Sequence, residues 1–264
     1  MIIYGLNPVL EALRSGRVRR LLVGPRHDRR VEQALSLARE NQVAVERVDG
    51  AAIDRAARGG VHQGILAELG TPRDHSLREL VEGARPAPPL LVVLDGIEDP
   101  HNVGAIVRTV DAAGAHGIVR QARHAASLDG IAAKASAGAV ALVRMATEVN
   151  IARAIEELKT LGVWTIGFAG DAPESYDVVD FTLPTAIVLG GEGSGLRRLV
   201  RERCDRIVSI PMHGSVDSLN VSVAAGVVLF EAVRQRQKVK GHRGKVSTQK
   251  PTSSGKKHGN DVNN

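Results

Sequence analysis

The period of apolar and polar positions changes several times along the chain. In the first 70 residues, NPVLEALRSG, RRVEQALSLARENQ and DGAAIDRAARG carry apolar residues three and four apart, whereas VRRLLVG, VAVERV and VHQGILAEL are short apolar clusters. The first kind predicts helices with one buried stripe and the second predicts strands, so 1–70 reads as a small α/β unit. Residues 71–89, TPRDHSLRELVEGARPAPP, hold four prolines and little apolar period outside LREL. They read as a linker with one short helix, which puts a domain boundary near Pro88. From Leu90 the alternation resumes, with strands predicted near 90–97, 117–121, 143–149, 163–169, 186–190 and 206–211 and helical patterns between them. Strands separated by helices imply a mostly parallel sheet covered on both faces, hence an α/β domain over 90–237.

Composition narrows the class. No apolar run approaches the ~20 residues of a membrane span, and MIIYGLNPV lacks the basic start and long apolar centre of a secretory signal, so a cytoplasmic protein is expected. The lone Cys204 cannot form an intrachain disulfide, and it reads as a small buried hydrophobe near a helix end. His101, His116 and His213 have no ligand spacing with Cys or acids, so no metal site is expected. Lys and Arg total 35 against 29 Asp and Glu, a net charge of +6 that favours a polyanionic partner. RQRQKVKGHRGKVSTQKPTSSGKKHGN holds nine Lys or Arg and no acid, which makes 238–264 a flexible basic tail. Six aromatics are too few for base stacking to dominate, so nucleic acid would be held by charge and shape.

In open parallel sheets ligands bind at the carboxyl ends of strands, and three stretches sit at such ends: DGIEDPHNVGAIVRT, IVLGGEGSGL and IVSIPMHGSVDSLNVSVAAG. The first is neither a dinucleotide nor a P-loop fingerprint. It offers Asn102 at the start of a helix, as a cap or as a substrate contact, and Arg108 six residues on, near the same side, able to hold a phosphate in a fork. Ala105, Ile106, Val107, Thr109 and Val110 around Arg108 weaken its reading as a solvated charge. The second stretch places Gly190, Gly191, Gly193 and Gly195 around one acid, Glu192, with no following Lys to neutralise a triphosphate. Glu192 is either a loop surface charge or the group that orients a polar ligand. The third puts Ser218 and Asn220 at the start of the last helix, where both are candidate caps. Ser222, Ala224, Ala225 and Gly226 make that helix slim enough to pack closely, against a second subunit in the expected arrangement.

In combination, N-x-G-x-x-x-R-T, G-G-E-G-x-G-L and I-P-M-x-G-x-x-x-S-L-N-V-S-V-A, each after a strand, resemble in order the three motifs of the SpoU (TrmH-like) branch of the SPOUT RNA methyltransferases. The resemblance covers about residues 90–235. Upstream, YGLNPVLEALR and GGVHQGILAE resemble the amino-terminal domain of its RlmB-type 23S rRNA guanosine 2'-O-methyltransferases, a domain similar to ribosomal protein L30e.

The resemblance implies a trefoil-knotted catalytic domain, S-adenosylmethionine as methyl donor, an RNA substrate and a homodimer that completes the site. Carried over by motif, Gly190, Ile210 and Leu219 contact the cofactor, Glu192 and Asn220 shape its pocket, and Asn102 and Ser218 orient the ribose or Arg108. The family gives Arg108 the proton-abstracting role. A guanidinium with a pKa above ~12 rarely acts as a base, which favours Arg108 as the holder of the adjacent phosphate. The alternatives are 2'-O-methylation of tRNA or another rRNA nucleotide, and a non-catalytic L30e-like RNA-binding protein, which 1–70 alone would support. A Rossmann-type methyltransferase or dehydrogenase would need a glycine-rich turn after its first strand, and 90–237 has none there.

Overall fold

The computed structural model describes residues 2–246 apart from 26, 27, 71, 72, 124 and 129, with side chains as far as residue 239. The first sheet is built from β1 (Ile2–Tyr4), α1 (Leu6–Arg14), β2 (Val18–Val23), α2 (Arg29–Glu40), β3 (Ala44–Arg47), α3 (Gly50–Ala57) and β4 (Ile65–Leu69), in the strand order β1-β4-β2-β3. Asp28 starts α2 by accepting hydrogen bonds from the Arg30 and Val31 amides, both at 3.0 Å, which satisfies two donors that a helix start leaves open. Apolar period finds every element here but β1. Three residues are too few to show a period, and β1 exists because β4 offers it an antiparallel partner, with Ile3 opposite Ala67.

The proline-rich stretch is packed rather than loose. His75 N–H donates to the Met145 carbonyl at 2.9 Å, and α4 (Leu77–Glu82) starts with a reciprocal Ser76–Glu79 capping box. Leu77 and Leu80, the two leucines of LREL, are buried under the second sheet.

That sheet follows as β5 (Leu90–Asp95), α5 (Pro100–Ala112), β6 (Gly117–Gln121), α6 (Ile131–Ala135), a 3-10 turn (Ala139–Ala141), β7 (Met145–Glu148), α7 (Ile151–Thr160), β8 (Trp164–Phe168), β9 (Thr185–Gly190), α8 (Arg198–Arg203), β10 (Arg206–Val208) and α9 (Val221–Val246). The strand order is β10-β8-β9-β5-β6-β7 and every pairing is parallel. The central strands β5 and β9 are buried along nearly their whole length, as a parallel strand covered on both faces must be. β10 stops three residues short of the predicted end, and Ser209 instead bridges to Ser175. α9 runs beyond Gln237 to Val246, because KVKGHRGKV contains no proline and extending a formed helix costs little per residue. The remainder of the predicted basic tail, 247–264, lies outside the described residues.

One continuous apolar cluster joins the two sheets, from Ile3 and Val9 through Ala133 and Val140 to Ile106 and Ala225. Within it α9 lies against α5. Farther along, α9 is anchored by Arg236, whose guanidinium donates to the carbonyls of Phe181 (2.8 Å), Pro88 (2.7 Å), Pro89 (3.0 Å) and Leu183 (2.9 Å). Those carbonyls belong to the entries of β5 and β9, so the last helix fixes the two strands whose carboxyl ends carry the candidate site.

Candidate functional site

The three sequence motifs meet at the carboxyl ends of β5, β9 and β10, and the contact is made by side chains. Asn102 Nδ2 donates to Glu192 Oε1 at 2.7 Å, Asn220 Nδ2 donates to the same oxygen at 2.9 Å, and Asn102 Oδ1 accepts from Asn220 Nδ2 at 2.9 Å. Residues 90 and 118 positions apart in the chain thus close a triangle. The helix α5 begins earlier than expected, because Pro100 suits a first helical position and Asp99 takes the cap, accepting from the His101 amide at 2.9 Å. Asn102 is therefore no cap. It lies within the first turn, 6% exposed, and its amide is free to bond across the site.

Asn220 combines the two roles that the sequence left open. Its Oδ1 caps α9 by accepting from the Ser222 amide at 2.9 Å, while its Nδ2 faces Asn102 and Glu192. Ser218, the other candidate cap, stands outside the helix and donates to Asp217 Oδ1 at 3.0 Å.

The glycines of the second motif have separate physical reasons. A Cβ at Gly190 would collide with the backbone of Gly195, and one at Gly191 with the carbonyl of Gly96. Gly193 (φ +77°) and Gly195 (φ +62°) adopt left-handed backbone that other residues avoid. The loop folds back on itself, with Gly195 N–H donating to the Gly191 carbonyl at 2.9 Å, and Glu192 is carried at its tip.

Beside this loop opens a cleft of about 540 Å³. Gly190, Ile210 and Leu219 line it, together with Glu192, Ser218 and Asn220. Asn102 backs the triangle from α5 and does not line the cleft. Phe168, Ala169 and Gly170 at the end of β8, with Met212 and Asp217, complete the wall. Sequence reasoning named none of these five as site residues, although Met212 and Asp217 fall within the third motif stretch; for Phe168, Ala169 and Gly170 the end of a third parallel strand was the available signal, but IGFAGD carries no distinctive spacing.

Arg108 stands apart from the triangle. Six residues turn a helix through about 600°, which leaves Arg108 roughly 120° around α5 from Asn102 rather than on the same side. Arg108 is accordingly exposed where Asn102 is buried, and it has no hydrogen-bond or ion-pair partner among the described residues. The slim part of α9 also differs from expectation. Ala225 is 0% exposed and, with Val228, Leu229 and Ala232, sits in the core of its own chain against α5. The outward side of α9 instead presents Val223 (51% exposed) and Phe230 (52%), seven residues apart and hence on one face.

Cys204, at the end of α8, donates to the Val200 carbonyl at 3.3 Å, and burial pushes its thiol up to about 12. No cluster of three His, Cys, Asp or Glu able to hold a metal occurs among the described residues. No described helix is long and apolar enough to cross a membrane.

Two family models match this chain: the SpoU rRNA methylase family over residues 89–230, and the RNA 2'-O ribose methyltransferase substrate-binding domain over residues 2–74. A protein of Pseudomonas putida, 23S rRNA (guanosine-2'-O-)-methyltransferase RlmB, is 43% identical over 241 residues, covering 89% of this chain and 96% of that one. The RlmB of Ralstonia nicotianae is 46% identical over 215 residues, covering 81% and 86%. Among solved structures, the SpoU methyltransferase AviRb from Streptomyces viridochromogenes in complex with the cofactor AdoMet superposes with a TM-score of 0.77 at 27% identity, covering 90% of this chain and 91% of that one.

Proposed function

The chain belongs to the SpoU rRNA methylase family, and from that membership we propose that it methylates the 2'-hydroxyl of a guanosine ribose in 23S rRNA, with S-adenosylmethionine as donor. The observation that carries the reading is the meeting of the three motifs at Asn102, Glu192 and Asn220 beside the cleft. A volume of about 540 Å³ lies within the range of small-molecule sites, roughly 300–1,000 Å³. Phe168, Leu189, Ile210 and Leu219 offer apolar wall for an adenine, and the glycine loop offers backbone polar groups without side chains in the way. These residues fit the cofactor.

When bound, S-adenosylmethionine supplies a methyl group on a sulfonium, already activated for transfer to an oxygen with release of S-adenosylhomocysteine. What remains for the protein is positioning, and a rigid wall supplies much of it. Glu192 accepts from both amides and so locks the glycine loop, α5 and α9 in one arrangement. Ser218, exposed at the mouth of the cleft, orients the ribose. Arg108 binds the phosphate beside the reacting ribose and favours the ionised hydroxyl, whose proton passes to water, since a guanidinium stays protonated.

Within one chain Arg108 lies outside the cleft wall, and the apolar stripe of Val223 and Phe230 is uncovered. Both observations support a homodimer in which Arg108 serves the cleft of the second copy. The passage of 209–220 from the edge strand β10 back past the ends of β8 and β9 is the segment to which we assign the trefoil knot. The 1–70 unit presents the RNA, followed by the 71–89 connection, the catalytic domain and the basic carboxyl-terminal stretch.

The test is incubation of the purified protein with a 23S rRNA transcript, a tRNA pool and methyl-labelled S-adenosylmethionine, with the modified position mapped by primer extension at low nucleotide concentration. One 2'-O-methylated guanosine in the 23S transcript is expected. Label confined to tRNA would overturn the substrate, and label on a base would overturn the reaction.

A further inference from the structure

Asp95 ends β5 with its side chain 0% exposed, and a carboxylate buried to that degree must be neutralised and hydrogen-bonded. Its partner comes from beyond the glycine loop, 102 positions along the chain. Arg197 N–H donates to Oδ2 at 2.8 Å, Arg197 Nε donates to Oδ1 at 2.7 Å, and Arg197 Nη2 pairs with the same Oδ1. Every polar edge of the carboxylate is thus directed at one residue. Asp95 is also the register partner of Gly190, where the loop departs from β9. The next residue, Gly96, places its carbonyl against Gly191 so closely that no Cβ fits between them. The loop is therefore held at both ends, by β pairing where it leaves the sheet and by the Asp95–Arg197 clamp where it returns. Between those ends lie Gly193 and Gly195, in left-handed backbone with open space around them, and Glu192. The Asn102–Glu192–Asn220 contacts and the Gly195–Gly191 backbone bond hold the loop between its ends, and Leu196, buried in the core, seats its return beside Arg197.

We propose that Asp95 and Arg197 are positioning residues for the methyl donor: the clamp fixes the return of the glycine loop and so sets the cofactor wall, without touching cofactor or RNA. The inference rests on the cleft being the S-adenosylmethionine site. It separates the two ligands, because the clamp lies beneath the loop while the RNA-facing Arg108 lies on α5.

The test is calorimetry of S-adenosylhomocysteine binding to the full-length wild type, Asp95→Asn, Arg197→Gln and the double variant, with 23S rRNA transcript affinity measured in parallel by filter retention. Loss of a charge-assisted clamp weakens cofactor binding about tenfold. Asp95→Asn is expected to show that loss with transcript affinity unchanged, and the double variant is expected to bind no more weakly than Asp95→Asn, since paired residues are non-additive. Arg197→Gln alters a side chain that is 48% exposed and keeps the backbone bond, so it reports on the clamp even where Asp95→Asn does not fold. Wild-type cofactor affinity in folded Arg197→Gln, or equal losses for cofactor and transcript, would overturn the clamp. Failure of the wild type to bind S-adenosylhomocysteine would instead overturn the methyltransferase reading on which it rests.

Discussion

Arg108 is an exposed cation on an otherwise apolar turn of α5, without a partner among the described residues, and that isolation is what a phosphate ligand requires. Arg108→Ala should lower methyl transfer by at least about a hundredfold, the scale of removing one fixed donor from a developing charge. Because Arg108 does not line the cleft, S-adenosylmethionine affinity by calorimetry should stay within a few-fold. Loss of cofactor binding in a folded variant would put Arg108 on the other side of the reaction. Cys204 makes the opposite case of a reactive group held inert. Burial raises its thiol from 9.0 to about 12, so between those values the folded chain retains a proton that the unfolded chain releases. Stability from this group is complete below about pH 9 and is lost as pH rises towards 12. Cys204→Ala should therefore flatten the fall of the urea midpoint over that interval. Cys204 is half-buried, so a thiol reagent at pH 8 should modify it more slowly in the native protein than in denaturant, and equal rates would contradict its protection.

At the scale of elements, the small residues of α9 divide between two surroundings. Of Ser222, Ala224, Ala225 and Gly226, Ala225 is buried in the core of its own chain while Ala224 lines the cleft, and a row of small residues does not say which neighbour it fits. The two sides of the helix predict different outcomes. Ala225→Arg would bury a charge without a partner and should destabilise the protomer by about 3–5 kcal/mol, read as a lowered midpoint in urea unfolding. Phe230→Asp changes an exposed position and should leave the protomer folded, by circular dichroism, while shifting the mass by light scattering from dimer to monomer. A dimeric Phe230→Asp variant would remove this face from the interface. Asn102 gives the same lesson in a shorter span. Its place near a helix start was legible, but Pro100 and Asp99 moved the cap, and the hydrogen bond to Glu192 spans 90 positions that no local pattern reports.

For the whole molecule, apolar period was enough to find both α/β units, every strand of the second sheet and the strand ends at which the motifs gather, because buried parallel strands are continuous apolar runs. It could not show how the units join. That joint uses residues with almost no side chain: Gly130 against Tyr4, and Gly138, at φ +94°, where a Cβ would stand 3.1 Å from the Pro8 carbonyl oxygen and 3.2 Å from Pro8 Cα. In the sequence ASAGAVA reads only as small residues, since close approach leaves no apolar pattern. The fit has a consequence for the molecule as a unit. A single apolar cluster crosses the joint, so the sheets should melt together in one calorimetric transition. Gly138→Val sets a β-branched side chain in left-handed backbone and drives it into α1, which should part the units without touching the cleft. Two resolved transitions are expected for this variant, with S-adenosylmethionine affinity retained and transfer to the 23S transcript reduced because the 1–70 unit no longer presents the RNA in register with the cleft. A single wild-type transition with full transfer would mean that the joint adapts, and that RNA presentation does not depend on a rigid junction.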